Sequence, residues 1–139
     1  MEFPDPNLVE QTFYSSFREL DEHGMQAVWV DSKEASCIHP GGVLLRGVEV
    51  ILDSWREIFD EASPPQVEHR LIQASSDARL AVHTVEEKVS SGAGGRRAVI
   101  LATNVYIFTD GGWRMLAHHA SLPLVESSES TEEAPHPLH

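Results

Sequence analysis

Eight histidines, two tyrosines and one cysteine are among the side chains of this 139-residue chain that could trade protons or attack a substrate. His118 and His119 are adjacent within Trp113 to Leu122, a segment of strand character. Neighbours on a strand point to opposite faces, which argues against one metal ion held by both. One of the two faces the interior, where it is suited to general acid or base work, and strand alternation alone leaves open which. Asn104 interrupts the apolar run from Arg97 to Thr109, and a buried amide must find partners in a ligand or a neighbouring element. Tyr106 shares its face and offers a phenol to a ligand or an aromatic to the core. His39 follows a short strand that carries Cys37 on the same face. A cysteine–histidine nucleophile needs contact and an orienting third group, neither visible in sequence, so His39 is read as pocket rim or turn anchor. Tyr14 and Trp55 carry polar tips within apolar helical stripes and are expected to reach the same interior. No metal-ligand set emerges, and Gly92-Ala93-Gly94-Gly95 joins two strands rather than opening a helix, so neither metal nor cofactor is expected.

These residues need elements to position them. Asp5-Pro6 reads as a helix start, and Val9, Phe13, Phe17 and Leu20 recur at helical spacing, with His23-Gly24 as the expected end. A short helix from Met25 to Val30 follows, then a brief strand from Ala35 to Ile38 and a turn at His39-Pro40-Gly41-Gly42. A third helix spans Val48 to Glu61, with Ile51, Leu52, Trp55, Ile58 and Phe59 on one face. The acidic faces of these helices are read as solvated surface. After Ser63-Pro64-Pro65 the period drops to two. Strands are expected at Val67 to Ala74, Arg79 to Val89, Arg97 to Thr109 and Trp113 to Leu122, paired antiparallel through short turns. The loop from Ser90 to Gly95 is read as mobile, and the acidic stretch from Glu126 to His139 as a disordered tail after a domain covering 1–125.

The formal net charge of −12 disfavours nucleic acid and anionic membrane as partners. The single Cys37 allows no internal disulfide and suits a reducing cytoplasm, and Met1-Glu2-Phe3-Pro4-Asp5 lacks the basic and apolar regions of a signal peptide. No stretch reaches the roughly 18 apolar residues that a spanning helix needs.

Helices first and strands afterwards imply an α+β cone: a curved antiparallel sheet closed by three N-terminal helices. The local motifs agree. Cys37-Ile38-His39-Pro40-Gly41, Leu45-x-Gly47 before Ser54-Trp55, Thr103-Asn104-Val105-Tyr106, Asp110-Gly111-Gly112-Trp113 and His118-His119-Ala120-Ser121 together resemble the SnoaL-like branch of the nuclear transport factor 2-like superfamily. They are also similar to the association domain of calcium/calmodulin-dependent kinase II. The resemblance implies a cone cavity lined by Asn104 and an inward histidine; the residues matching the kinase domain put His118 inward on the face of Ala120, and a bulge would swap it with His119. It also implies two absences. Ketosteroid-isomerase-like members carry an acidic base in the cavity wall, whereas Asp110, in a turn, is the one acid of the last two strands. The kinase domain carries arginines where Asn104 and Ala120 stand. A largely uncharged pocket is therefore expected.

The functional expectation is a small-molecule-binding protein whose cone holds an apolar or mixed ligand, with cofactor-free proton transfer by His118 or His119 and Tyr106, and with Asn104, Trp55, Tyr14 and His39 contacting the ligand. Because the segment from Ala98 to Phe108 is apolar on both faces, a homodimer packed through the outer sheet face is expected. The alternative is a non-enzymatic interaction or oligomerisation module.

Overall fold

The computed structural model describes residues 2–61, 63–90 and 97–125. The acidic tail and the glycine-serine loop, Ser90 apart, lie outside the described residues.

The first helix, α1 (Pro6–Glu19), starts as its sequence dictates: the Asp5 carboxylate accepts the Leu8 backbone N–H at 3.0 Å, and Pro6 takes the first helical position. Its end differs from expectation. Leu20, with φ of 54°, closes the helix while the Leu20 and Asp21 N–H groups bond to the carbonyls of Phe17 and Ser16. Asp21 then caps the second helix, α2 (Glu22–Val28), by accepting the Gly24 N–H at 3.0 Å. Gly24 is thus no terminator. A Cβ there would land on Ser16 Oγ and 2.9 Å from Asp21 Oδ2, so glycine permits the two helices to approach. Alanine normally stabilises a helix relative to glycine. Gly24→Ala is expected to do the reverse here, by about 1–3 kcal/mol in thermal or urea unfolding, because the added methyl overpacks the crossing. A neutral or stabilising result would remove this explanation of Gly24.

The third helix, α3 (Val48–Glu61), buries Ile51, Trp55 and Phe59 and leaves the Arg56–Asp53 pair exposed, as its periodicity requires.

The strands are β1 (Ser36–Ile38), β2 (Leu45–Arg46), β3 (Gln66–Ser76), β4 (Leu80–Ser90), β5 (Ala98–Thr109), β6 (Gly112–Ala120) and β7 (Leu124–Val125). They form one curved sheet ordered β2-β1-β6-β5-β4-β3, with β7 pairing the start of β5. The four long strands meander antiparallel as expected. β1 adds itself parallel to β6, because the long excursion between them permits that direction, and places Cys37 opposite His118. The three helices cover the concave face, giving an α+β cone with one core of Phe13, Tyr14, Trp55, Val85, Tyr106 and Met115 among others. Among the described residues no helix is long and apolar enough to cross a membrane.

One irregularity decides which strand histidine enters. Val105 faces Ala117 but Tyr106 faces Met115, so Leu116 is skipped in the β5–β6 register. Without this shift, the inward parity set by Trp113 and Met115 would have carried on to His119. With it, His118 is buried at 3% exposure and His119 is turned out, its Nε2 3.0 Å from Ser36 Oγ.

Candidate functional site

Strand alternation supplies the concave face with polar groups at regular intervals. Along β4 the inward positions are Ala81, His83, Val85 and Glu87, and along β5 they include Asn104 and Tyr106. The register sets His83, Asn104 and His118 side by side across three strands, and sets His69 of β3 opposite Glu87. From above, α1 lays down Glu10 and Tyr14 one turn apart on its buried side.

The result is two linked clusters rather than an uncharged pocket. In the first, Tyr14 donates to Glu87 Oε2 at 2.6 Å and accepts from Asn104 Nδ2 at 3.1 Å. The Asn104 carbonyl lies 2.6 Å from His118 Nδ1. This chain fixes the tautomer: with the amide nitrogen spent on Tyr14, Asn104 Oδ1 must accept, so His118 Nδ1 carries the proton. His118 Nε2 then presents a lone pair, 3.9 Å from Glu87 Oε2. In the second cluster, Glu10 Oε1 accepts from Tyr106 at 2.7 Å and from His83 Nδ1 at 2.8 Å. All seven side chains belong to residues exposed by 4% or less. Each meets its neighbours directly, so these seven polar side chains satisfy one another.

Burial sets the electrostatics. It pushes the Glu87 carboxyl up to about 7, against the opposing pull of the Tyr14 hydrogen bond. It pushes His118 down to about 3, with His39 and His119 adding to the effect. Both shifts favour neutral forms, so although Glu87 and His118 stand within ion-pair range, they form a neutral pair between about pH 3 and about pH 7. Burial and the adjacent carboxylates raise the phenols: Glu87 acts on Tyr14 and Glu10 on Tyr106. A carboxyl that titrates near neutrality, held by a phenol and facing an unprotonated imidazole nitrogen, can accept a proton and return it.

The expected site residues separate on inspection. Asn104, Tyr14 and His118 meet in the first cluster. Tyr106 belongs to the second, its hydroxyl committed to Glu10. His39 binds Ser54 Oγ at 2.9 Å and packs on the edge of Trp55 at 4.8 Å between centroids, so it anchors the β1 turn to α3. Trp55 is buried among Phe13, Phe17 and Phe59, and its indole N–H has no hydrogen-bond partner among the described residues. Cys37 lies 3.9 Å from His39 Nε2, but burial pushes its thiol up to about 12, which leaves no thiolate for a nucleophilic role.

Glu87 and Glu10 correct two expectations, the uncharged pocket and the solvated acidic helix face. The acids come from β4 and α1, not from the last two strands. A signal existed: Ala81, His83, Val85, Glu87 and Val89 form an otherwise apolar alternate set, and Glu10 sits one turn before Tyr14 beside the Val9–Phe13–Phe17 stripe.

Hollows open at the surface among the described residues. One of about 460 Å³ lies between α2 and α3 beside Trp29 and Arg56, and one of about 430 Å³ adjoins it at Gly47 and Val48. Another, of about 260 Å³, lies at the β3–β4 edge, where His69 is among its walls.

Comparison with known proteins places this geometry in context. A family model described as a SnoaL-like domain matches residues 7–125. A solved structure from Thiobacillus denitrificans, named as a candidate calcium/calmodulin-dependent protein kinase type II association domain, is 34% identical with a TM-score of 0.83, over 89% of this chain and 98% of that one. A candidate dehydratase of the NTF2-like family from Streptomyces avermitilis is 28% identical with a TM-score of 0.78, over 86% and 94%. The F-box protein SKIP8 of Arabidopsis thaliana is 25% identical over 121 residues, which are 87% of this chain and 51% of that protein. The chain therefore spans about half the length of that curated relative.

Proposed function

The chain belongs to the SnoaL-like domain family, and from that premise we propose that it is a small-molecule-binding protein that carries out cofactor-free proton transfer inside its cone, with Glu87 as the acid–base group. The carrying observation is the Glu87 carboxyl itself, buried, raised to about 7 and held by Tyr14 opposite a neutral His118. Dehydration and double-bond isomerisation of carbonyl compounds share a first step. Glu87 takes a proton from the carbon beside the carbonyl, the C–H electron pair forms a C=C bond, and the carbonyl π pair moves to oxygen. That oxygen needs a donor, and with the single Tyr14 O–H given to Glu87, the second N–H of the Asn104 amide is the one at hand. Glu87 then returns the proton to the same or another carbon. His118, with Nδ1–H bound to Asn104, orients the amide and can accept a substrate hydroxyl at Nε2. The Streptomyces relative's name as a dehydratase supports this class of reaction.

The test uses small ketones in D2O, with exchange of their α-hydrogens followed by NMR. The wild type is expected to accelerate exchange, and Glu87→Gln to lose at least about a hundredfold of that acceleration. Equal rates in the two proteins would refute the role of Glu87.

A second copy of the chain is the partner proposed for the outer sheet face. Leu80 pairs with Ile107 and Val82 with Val105 across β4 and β5, and Leu80, Val82 and Leu101 are exposed by 36–52%. These exposed apolar side chains face away from the helices. Val82→Glu is expected to convert a dimer to a monomer in sedimentation velocity; a wild-type monomer would end the proposal. A reducing compartment, the cytoplasm, fits the free Cys37.

A further inference from the structure

Burial raises the Glu87 carboxyl, so the side chains that keep water from it belong to the site. On one side Ile100 of β5 stands opposite Glu87, and β6 and β1 continue the sheet beyond it. On the other side there is a single strand. β3 ends the sheet, and His69 is its residue opposite Glu87. The His69 ring lies flat on Tyr14, 4.3 Å between centroids and 15° from parallel. Along the same inward face of β3, Val67 is buried, His69 is half-buried and Leu71 is exposed by 41%. Near Val67 the seam with α1 is closed by the Arg18 guanidinium, which donates to the Val67 carbonyl at 3.3 Å. The cover of the concave face therefore runs out at His69. Behind that ring, Tyr14 and Glu87 are exposed by 2% or less.

Shape rather than charge is what the ring brings to Glu87. The titratable and charged groups that face His69 are Glu10, Tyr14 and Arg18 of α1 and Glu87 of β4. Burial lowers His69, while Glu10 pulls it up and Arg18 pushes it down, so the imidazole is uncharged at pH 7. The other titratable groups facing Glu87 are Tyr14, His118 and Cys37. Burial holds the phenol, the imidazole and the thiol in their uncharged forms. None of these groups carries a positive charge that would hold Glu87 ionised. A flat neutral ring on Tyr14 acts by excluding water and by fixing the phenol whose hydroxyl donates to Glu87 at 2.6 Å.

We propose that His69 is a positioning residue for Glu87: its ring is the solvent-side cover of the Tyr14–Glu87 pair, holding Tyr14 in place and shutting water away from the carboxyl. This rests on the reading of Glu87 as the acid–base group and adds the residue that keeps it in that state.

The test is the Glu87 titration, followed by the NMR shift of its carboxyl carbon in the wild type, His69→Ala, His69→Thr and His69→Phe. Threonine suits a strand, so His69→Thr reads the uncovered state even if the alanine chain folds poorly. In His69→Ala and His69→Thr the midpoint is expected to fall by at least about one pH unit, as water reaches the carboxyl. Phenylalanine is flat and cannot carry a charge, so His69→Phe is expected to keep the midpoint near 7. An unchanged midpoint in His69→Ala and His69→Thr would overturn the proposal. So would a fall in His69→Phe as large as that in His69→Ala, since a flat neutral cover would then not suffice. The two readings fail differently. A wild-type midpoint near 7 that ignores His69 sinks this one alone. A midpoint that falls in His69→Ala, with the wild type inert in ketone exchange, sinks the proton-transfer reading alone.

Discussion

Glu87→Gln is expected to gain stability over the wild type as pH rises, the difference between the two growing by roughly 3 kcal/mol from pH 4.5 to pH 8. The sign follows from where protons bind. The Glu87 carboxyl titrates near 7 in the folded chain against an ordinary 4.5, so between those values the native state holds a proton that the unfolded state has lost. Its contribution is fully present below pH 4.5 and is lost as pH rises through 7. His118 acts in the opposite direction. Its folded value near 3 against 6.5 means the unfolded state binds the extra proton, so its contribution is present above pH 6.5 and is lost as pH falls toward 3. From pH 4.5 to 6.5 the two slopes oppose and largely cancel. Glutamine mimics the protonated carboxyl and still accepts from Tyr14, so Glu87→Gln exposes the His118 slope alone: stability rises with pH. His118→Gln exposes the Glu87 slope alone: stability falls from pH 4.5 to 7. Urea unfolding at several pH values reads all three proteins. Parallel curves would contradict the assigned burial effects.

Glu10→Ala is expected to be among the most damaging single changes in the chain, at about 3–5 kcal/mol in urea unfolding. One carboxylate oxygen accepts both Tyr106 O–H and His83 Nδ1–H, and both donors are buried away from water. Alanine leaves each without an acceptor and opens a void where α1 meets β4 and β5. Glu10→Gln keeps an acceptor oxygen and is expected to lose about 1 kcal/mol. The triple change Glu10→Leu, His83→Leu, Tyr106→Phe replaces the whole polar cluster with apolar groups and should recover most of the stability lost by alanine. A loss below 1 kcal/mol for Glu10→Ala would mean that the cluster is dispensable for folding. The contrast with Glu87→Gln separates two carboxylates within one interior: Glu10 ties a helix to the sheet, while Glu87 carries a raised carboxyl suited to chemistry.

The sequence revealed the frame of this site better than its chemistry. Helical stripes, the Asp5 cap, the switch to period two after Pro65 and the long apolar β5 are local signals, and all of them appear in the fold. The Asn104 amide announced itself because asparagine is out of place mid-strand, and it proved to be the hinge between Tyr14 and His118. What remained hidden depends on long-range pairing. Whether His118 or His119 turns inward rests on one skipped residue, Leu116, and a register shift between two strands leaves no mark in either strand's composition. Glu10 and Glu87 read as ordinary charges on amphipathic elements until the register and the α1 crossing bring them to Tyr106 and Tyr14. The helix boundary moved for a similar reason: Gly24 looks like a terminator in sequence, and its packing against Ser16 is visible only once α2 folds back on α1.

Burial in the cone raises the Glu87 carboxyl to near neutrality, and the titration of Glu87 itself tests this most directly. With the side-chain carboxyl carbons labelled and the Glu87 resonance identified by its loss in Glu87→Gln, its chemical shift can be followed from pH 3 to pH 9. A midpoint near 7 is the predicted result. A midpoint at or below the ordinary 4.5 would show Glu87 ionised throughout the neutral range and would contradict the account.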